Sequence, residues 1–176
     1  MELSTERLWL REYVPEDFAA LRAIISDPET MKFYPKPYDD DGVFRWLSWN
    51  FDNYKNLGFG LWALVLKDTG AFVGDCGVTM QIIHKKIVPE IGYHIHKDYQ
   101  SLGLATEAAR FCKDWIFEHA PFQTVYSYMN AENKASAAVA RKNGMRLVDE
   151  YDDDGEHLLV YAVTREEWQA AKKAGQ

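Results

Sequence analysis

The chain has 176 residues, of which 47% are apolar, and it carries six tryptophans and a net charge of −7. This composition is typical of a single globular domain spanning residues 1–176, and it excludes a disordered chain. Because no run of about 18 apolar residues occurs, we expect no membrane span, and the acidic balance argues against nucleic acid as a partner.

The first half of the chain alternates between strand and helix patterns. Pro15 is placed to open a first helix, and Gly58 follows a second one. The turn at residues 67–70 joins two apolar runs as a hairpin. The predicted elements are strand 7–11, helix 15–25, helix 40–53, strand 61–66 and strand 71–83.

The second half opens with strand 87–95, which leads through a short turn into a helix beginning at Leu104. The apolar residues of this helix recur at helical spacing, and Ser101 or Thr106 is placed to cap it. Its predicted apolar face is Leu104, Ala108, Phe111, Cys112, Trp115 and Ile116. The elements that follow are strand 124–128, helix 134–143, hairpin strands 146–151 and 157–163, and a terminal helix from residue 164. This order predicts an α/β domain around a mixed, mostly antiparallel sheet.

Two further features indicate a cytoplasmic protein. The first seven residues have neither the basic nor the apolar region of a secretory signal. Cys76 and Cys112 are the only cysteines, which is too few for a disulfide framework. We interpret both as small buried hydrophobic residues and expect no metal site.

The segment QSLGLATE, residues 100–107, points to a function. A strand that ends, a turn containing Gly103 and a helix that begins at once leave free backbone N–H groups at the positive end of a helix dipole, which favours anion binding. No Gly-Lys-Ser/Thr sequence follows, so a nucleotide-hydrolase P-loop is excluded, and one glycine does not make a dinucleotide fingerprint. Taken alone, the segment also fits an ordinary strand-to-helix turn.

A basic strip occurs in this acidic chain between residues 133 and 148. No acidic residue lies there, and the basic residues are Lys134, Arg141, Lys142 and Arg146. Such a strip would help to hold a phosphorylated ligand, although a solvated helix face explains it equally well.

Residues 100–105 resemble the acetyl-coenzyme A loop of the GNAT superfamily of N-acetyltransferases, which reads Gln/Arg-x-x-Gly-x-Gly/Ala between a strand and a helix. A second block, NKAS at 133–136 followed by KNGM at 142–145, is similar to one in the branch containing the ribosomal-protein N-terminal acetyltransferases. The resemblance runs from Thr5 to Trp168.

This resemblance implies a GNAT-like domain with one splayed strand pair and helices on both faces of the sheet. The pantetheine arm of acetyl-CoA would lie between strands ending near Ile95 and Tyr128, with its pyrophosphate on the amides of residues 101–106. The implied cofactor-binding residues are Tyr93, His94, Ile95, Gln100, Ser101, Leu102, Gly103, Leu104, Ala105, Thr106, Asn133 and Ser136.

The implied reaction is direct acetyl transfer from acetyl-CoA, the co-substrate, to a primary amine, without a covalent enzyme intermediate. The amine is protonated at neutral pH and must lose a proton before it attacks. Glu90 is the first candidate base, because some family members place a glutamate on this strand; a solvated carboxylate, or one paired with Lys85 or Lys86, is the alternative. His94 is a second candidate, acting through water, and could equally be structural.

The leaving thiolate has no obvious proton donor. Many family members use a tyrosine seven residues after the motif asparagine, and Ala140 stands there in this chain. Ser136 could hydrogen-bond the sulfur, so the implied catalytic set is Glu90, His94 and Ser136. The alternative function is a catalytically inactive protein that senses coenzyme A, which thiol release with any amine would exclude.

The acceptor would be a small cationic amine, or a protein N-terminus or lysine. Acidic runs at 39–41 and 152–154, together with nearby aromatic residues, favour a pocket for a cation, although helix caps, turns and core packing also explain them. The aromatic residues are Phe33, Tyr34, Tyr38, Trp46 and Trp49. A homodimer is one assembly that the sequence leaves open.

Overall fold

The computed structural model describes residues 3–175, which contain eight strands in one sheet and five α-helices. The strands are β1 (Leu3–Ser4), β2 (Leu8–Arg11), β3 (Leu61–Leu66), β4 (Phe72–Ile83), β5 (Lys86–Ile95), β6 (Thr124–Asn130), β7 (Arg146–Asp153) and β8 (Glu156–Thr164). The helices are α1 (Phe18–Ile25), α2 (Asp40–Leu57), α3 (Leu104–His119), α4 (Lys134–Lys142) and α5 (Arg165–Ala174).

The sheet order is β1-β2-β3-β4-β5-β6-β8-β7, and the neighbours are antiparallel except for β5 and β6. These two parallel strands are joined through α3 and share a single register position, Glu90 opposite Tyr126. Beyond that position the strands separate, which confirms the predicted α/β fold with a splayed pair. The separation opens a cleft in the middle of the sheet.

Helices cover both faces of the sheet. On one face α3, α4 and α5 bury residues such as Cys112, Ile116 and Trp168 against the central strands. On the other face α1 and α2 form a second core with β3, built around Leu21, Val43 and their neighbours. Each face of the sheet therefore has its own hydrophobic core.

Most predicted elements are confirmed, with local differences. Helix α2 continues to Leu57 and ends at Gly58, whose φ of 78° gives the left-handed cap that favours glycine. The two-residue strand β1 was not predicted. On α3, Ala109 and Phe117 are buried, whereas Phe111 and Trp115, which were predicted to be buried, are only half-buried.

The predicted capping of α3 is wrong. Gly103 occupies the N-cap with a φ of 81°, and no side chain bonds there. Cys76 and Cys112 are buried free thiols, as predicted, with their sulfur atoms 3.6 Å apart. Within residues 3–175 no helix is both long and apolar enough to cross a bilayer.

Candidate active site

The cleft between β5 and β6 has a volume of about 470 Å³. Its walls come from these two strands, from α2 and the segment before it, from the start of α4, and from the β7–β8 turn. It brings together Glu90, His94 and Ser136, which the sequence predicted as a catalytic set. A larger groove of about 570 Å³, near Trp9 and Trp115, contains none of the predicted site residues.

Glu90 lies on β5 with only 7% of its surface exposed. Burial raises the pKa of its carboxyl group to about 8, and the backbone amide of Tyr128 offsets only part of this effect. The alternative of a solvated carboxylate is therefore wrong. Gly92, two residues along the same strand face, leaves the space for this side chain, since a Cβ there would lie 3.1 Å from Glu90 Oε2. A carboxyl group with such a pKa can hold or release a proton near neutral pH.

His94 is buried, and both of its ring nitrogens are engaged. Its Nδ1 lies 2.9 Å from Oδ1 of Asp75, and its Nε2 lies 2.8 Å from the hydroxyl of Tyr34. The other oxygen of Asp75 accepts a 2.7 Å hydrogen bond from Tyr13. Neither Asp75 nor Tyr13 was predicted to belong to the site, although an acidic residue inside the apolar run of β4 was a usable signal, because buried carboxylates require partners.

Ser136 is held at the start of α4. The side chain of Asn133 caps this helix by accepting a 3.1 Å hydrogen bond from the amide of Ser136. The hydroxyl of Tyr93 donates a 3.2 Å hydrogen bond to the carbonyl of Ser136 across the cleft. Ala140 is buried on the same helix, so the position of the usual tyrosine offers no proton donor.

The glycine turn before α3 presents free amides. Within residues 3–175, the N–H groups of residues 101–106 have no hydrogen-bond acceptor, whereas the amide of Glu107 begins the helical pattern by bonding to Gly103. Gln100 anchors the turn by donating a 3.0 Å bond to the carbonyl of Ile95. Leu102 is 56% exposed, so this part of the turn is open to solvent. This geometry suits an anion.

Arg7 supports the turn through two polar contacts. Arg7 forms an ion pair with Glu107 at 2.7 Å and donates a 2.9 Å hydrogen bond to the carbonyl of Leu102. The charged residues that line a groove next to Gly103 are three cations, Arg7, Arg110 and Lys142, and three carboxylates, Glu6, Glu107 and Asp114. Two of these cations come from outside the segment in which the basic strip was predicted.

The predicted basic strip does not form one surface. Only Lys142 reaches the groove beside Gly103. Arg146 pairs with Glu167 at 2.9 Å, and Arg141 bonds to the hydroxyl of Tyr161. Lys134 bonds to the carbonyl of Ala131 within its own turn. Three of the four predicted cations therefore have structural partners.

One side of the cleft is aromatic and acidic. Trp46 packs edge-on against both Trp49 and His94, with ring centroids 5.6 and 5.4 Å apart. Asp153, Asp154 and Glu156 reach the cleft from the β7–β8 turn, and the predicted aromatic residues also line it.

The acidic run 39–41 has other roles. Asp39 caps α2 by accepting a hydrogen bond from Gly42, and Asp40 pairs with Arg22. Neither lines the cleft, so this part of the predicted acidic pocket is wrong.

A mixed sheet split between one parallel strand pair, with free amides at a helix start beside the split, defines an acetyltransferase fold. Residues 7–146 match the family model of the "Acetyltransferase (GNAT) domain". The chain therefore belongs to the GNAT acetyltransferase family, which is a family of acyltransferases. The chain is 37% identical to the uncharacterized protein YkkB of Bacillus subtilis over 145 residues, which cover 82% of this chain and 84% of that one.

Solved structures agree with this assignment. An acetyltransferase from Agrobacterium tumefaciens superposes with a TM-score of 0.81 at 30% identity, covering 93% of this chain and 94% of that chain. RimL, a ribosomal L7/L12 alpha-N-protein acetyltransferase solved with coenzyme A, shares the fold with a TM-score of 0.74 at 16% identity, covering 93% of this chain and 98% of that chain.

Proposed function

We propose that the protein transfers the acetyl group of acetyl-CoA directly to a primary amine, and that a small cationic amine is the preferred acceptor. The observation that supports this most strongly is the cleft itself. It holds a buried carboxyl group, Glu90, and a histidine, His94, on the acceptor side, with Ser136 on the opposite wall. Strand β5, which lines it, leads through a short turn to the free amides of residues 101–106.

The residues present fit the co-substrate. The pyrophosphate would bind the amides of residues 101–106, where Gly103 has no side chain to obstruct it and the α3 dipole favours negative charge. The groove beside this turn carries cations and carboxylates in equal number, so the backbone amides and the α3 dipole would supply most of the attraction for a polyanion.

The pantetheine arm would enter where β5 leaves β6, and it would bond to the β5 backbone of Tyr93, His94 and Ile95 as an added strand does. Ser136 and Asn133, at the positive end of α4, would face the sulfur.

Glu90 would act as the general base. In the empty cleft its raised pKa leaves the carboxyl group largely protonated near neutral pH. A cationic amine stabilises the ionised form, so the carboxylate would pair with the ammonium group and take one of its protons. The neutral amine can then attack the thioester carbonyl.

The walls of the cleft favour a small acceptor. Trp46 and Trp49 form an aromatic wall, and Asp153, Asp154 and Glu156 add negative charge at the rim. Aromatic faces and carboxylates together stabilise a compact cation. A protein N-terminus or a lysine side chain is the second candidate, because RimL, which shares this fold, is named as an alpha-N-protein acetyltransferase.

Thiol release tests the proposal. Purified protein is mixed with acetyl-CoA and separate amines: a polyamine, an aminoglycoside, a lysine peptide and a peptide with a free N-terminus. We expect free thiol and an acetylated product with the polyamine or the aminoglycoside. Binding of acetyl-CoA in a calorimeter, with no thiol released from any amine, would instead support the sensor alternative.

A further inference from the structure

The reaction requires more than one proton acceptor on the amine side. An ammonium group loses one proton before it attacks, and the nitrogen of the tetrahedral intermediate must lose a second before a neutral amide forms. Glu90 accounts for one of these protons. The second acceptor should be a group in the same cleft, close to Glu90, that can take a proton without creating an isolated buried charge.

A chain of hydrogen bonds with this property ends at Tyr34. Asp75 is 1% exposed, and its Oδ1 accepts the backbone N–H of His94 at 2.9 Å while its Oδ2 accepts the hydroxyl of Tyr13 at 2.7 Å. Because both oxygens of Asp75 act as acceptors, Nδ1 of His94 must carry the proton of the 2.9 Å contact to Oδ1. The neutral ring then exposes a lone pair on Nε2, which accepts the hydroxyl proton of Tyr34 at 2.8 Å.

The position of Tyr34 makes it the end of this chain that can meet substrate. Tyr34 lines the cleft with 40% of its surface exposed, whereas His94 is 7% exposed behind it. Desolvation in the cleft, followed by the charge of Glu90, raises the pKa of the phenol well above its ordinary value. A free phenolate is therefore disfavoured, so the oxygen of Tyr34 must gain a proton at the same time as its hydroxyl proton leaves.

We propose that Tyr34 is a catalytic residue that accepts the second amine proton, with His94 and Asp75 as positioning residues behind it. This proposal rests on the proposed function. When the C–N bond has formed, one N–H bond of the cationic nitrogen breaks and its proton moves to the oxygen of Tyr34. The phenol proton moves at the same time to Nε2 of His94, and the carboxylate of Asp75 stabilises the resulting imidazolium. The C–S bond then breaks with its electron pair on sulfur, and the imidazolium proton returns through Tyr34 to water.

A measurement that needs no turnover tests the chain itself. Nitrogen-15 NMR of the imidazole rings, with the His94 signal assigned from His94→Gln, should show the tautomer protonated on Nδ1 and bare on Nε2. Tyr34→Phe should shift the Nε2 resonance and leave Nδ1 protonated. The opposite tautomer, or no response of Nε2 to Tyr34→Phe, would overturn the proposal even if no acceptor amine were found.

Kinetics then test the catalytic role. Tyr34→Phe keeps the ring, so we expect kcat to fall roughly 100-fold while the Kd for acetyl-CoA stays within about twofold. Asp75→Asn, provided that its melting temperature is close to that of the wild type, should lower kcat with little change in the amine KM. The double variant should be no slower than the slower single variant, because both substitutions interrupt one chain.

A matched control is Tyr126→Phe, which removes a phenol hydroxyl on β6 outside the cleft and should leave kcat unchanged. An unchanged kcat in Tyr34→Phe, with active wild type, would exclude Tyr34 as the acceptor. Inactivity of the wild type on every amine would count against the proposed function alone, since the NMR result judges the hydrogen-bond chain separately.

Discussion

Replacing Glu90 by glutamine should make the protein more stable at high pH while it removes activity. The pKa of the Glu90 carboxyl is raised by burial from 4.5 to about 8. The folded state therefore binds a proton that the unfolded state releases between these values. The stabilising contribution of the protonated form is complete below pH 4.5 and is lost as the pH rises through 8.

The size of the effect follows from this interval. Each pH unit between the two values changes the free energy of unfolding by about 1.4 kcal/mol, so by pH 9 the buried carboxylate costs up to roughly 5 kcal/mol. Glutamine has nearly the same shape and no charge. We expect Glu90→Gln to equal the wild type within about 1 kcal/mol at pH 5, and to exceed it by about 2–5 kcal/mol at pH 9.

Urea unfolding followed by tryptophan fluorescence at several pH values, without coenzyme A, measures this difference. The slope with urea should match between the two proteins. Glu132→Gln, at an exposed position in the turn before α4, is the control and should show no pH-dependent gain. A constant difference between Glu90→Gln and the wild type from pH 5 to pH 9 would show that the Glu90 carboxyl has the same pKa in the folded protein as in the unfolded chain, and would remove the raised pKa on which its role as the base rests.

Substitutions at three further positions test other parts of the site. Gly103→Glu should weaken acetyl-CoA binding about 100-fold or more in calorimetry, because it puts bulk and negative charge at the amides. Gly103→Ala is the control, since it adds only the backbone strain of a positive φ, about 1 kcal/mol. Equal losses of affinity in the two variants would refute the placement of the pyrophosphate. Gly92→Ala should lower kcat severalfold and leave the Kd for acetyl-CoA unchanged, because the added Cβ would lie 3.1 Å from the Glu90 carboxylate and crowd it. An unaltered kcat would show that this carboxylate can move aside without loss of activity. Asn133→Ala removes the cap of α4, so it should lower the free energy of unfolding in urea by about 1 kcal/mol and also weaken acetyl-CoA binding. A loss of stability without any change in binding would show that the start of α4 does not contact the cofactor.

The sequence predicted those parts of the fold that depend on local pattern. Hydrophobic periodicity placed the helices and strands within a few residues, because each element must bury one face. The motif at residues 100–107 predicted the turn of free amides for the same reason, since such a turn is a local property of a strand, a glycine and a helix start. One local prediction, the capping of α3 by Ser101 or Thr106, was wrong, because Gly103 occupies the N-cap position and has no side chain to form a cap.

The environment of the site could not be predicted, because it depends on packing between distant segments. Asp75 and Tyr34 are far from His94 in sequence and meet it only when β4 pairs with β5 and the segment before α2 folds over the cleft. Burial of Glu90 likewise follows from the single pairing point between β5 and β6. The charge of Arg146 was counted as free for a ligand, whereas Glu167, on α5, neutralises it.

The most direct test of the account is a crystal structure of the protein with coenzyme A. We expect the pyrophosphate oxygens to lie within about 3 Å of the amide nitrogens of residues 101–106, and the thiol to point between Glu90 and Ser136. A cofactor bound elsewhere, or a thiol directed away from the cleft that contains Glu90 and Tyr34, would contradict it.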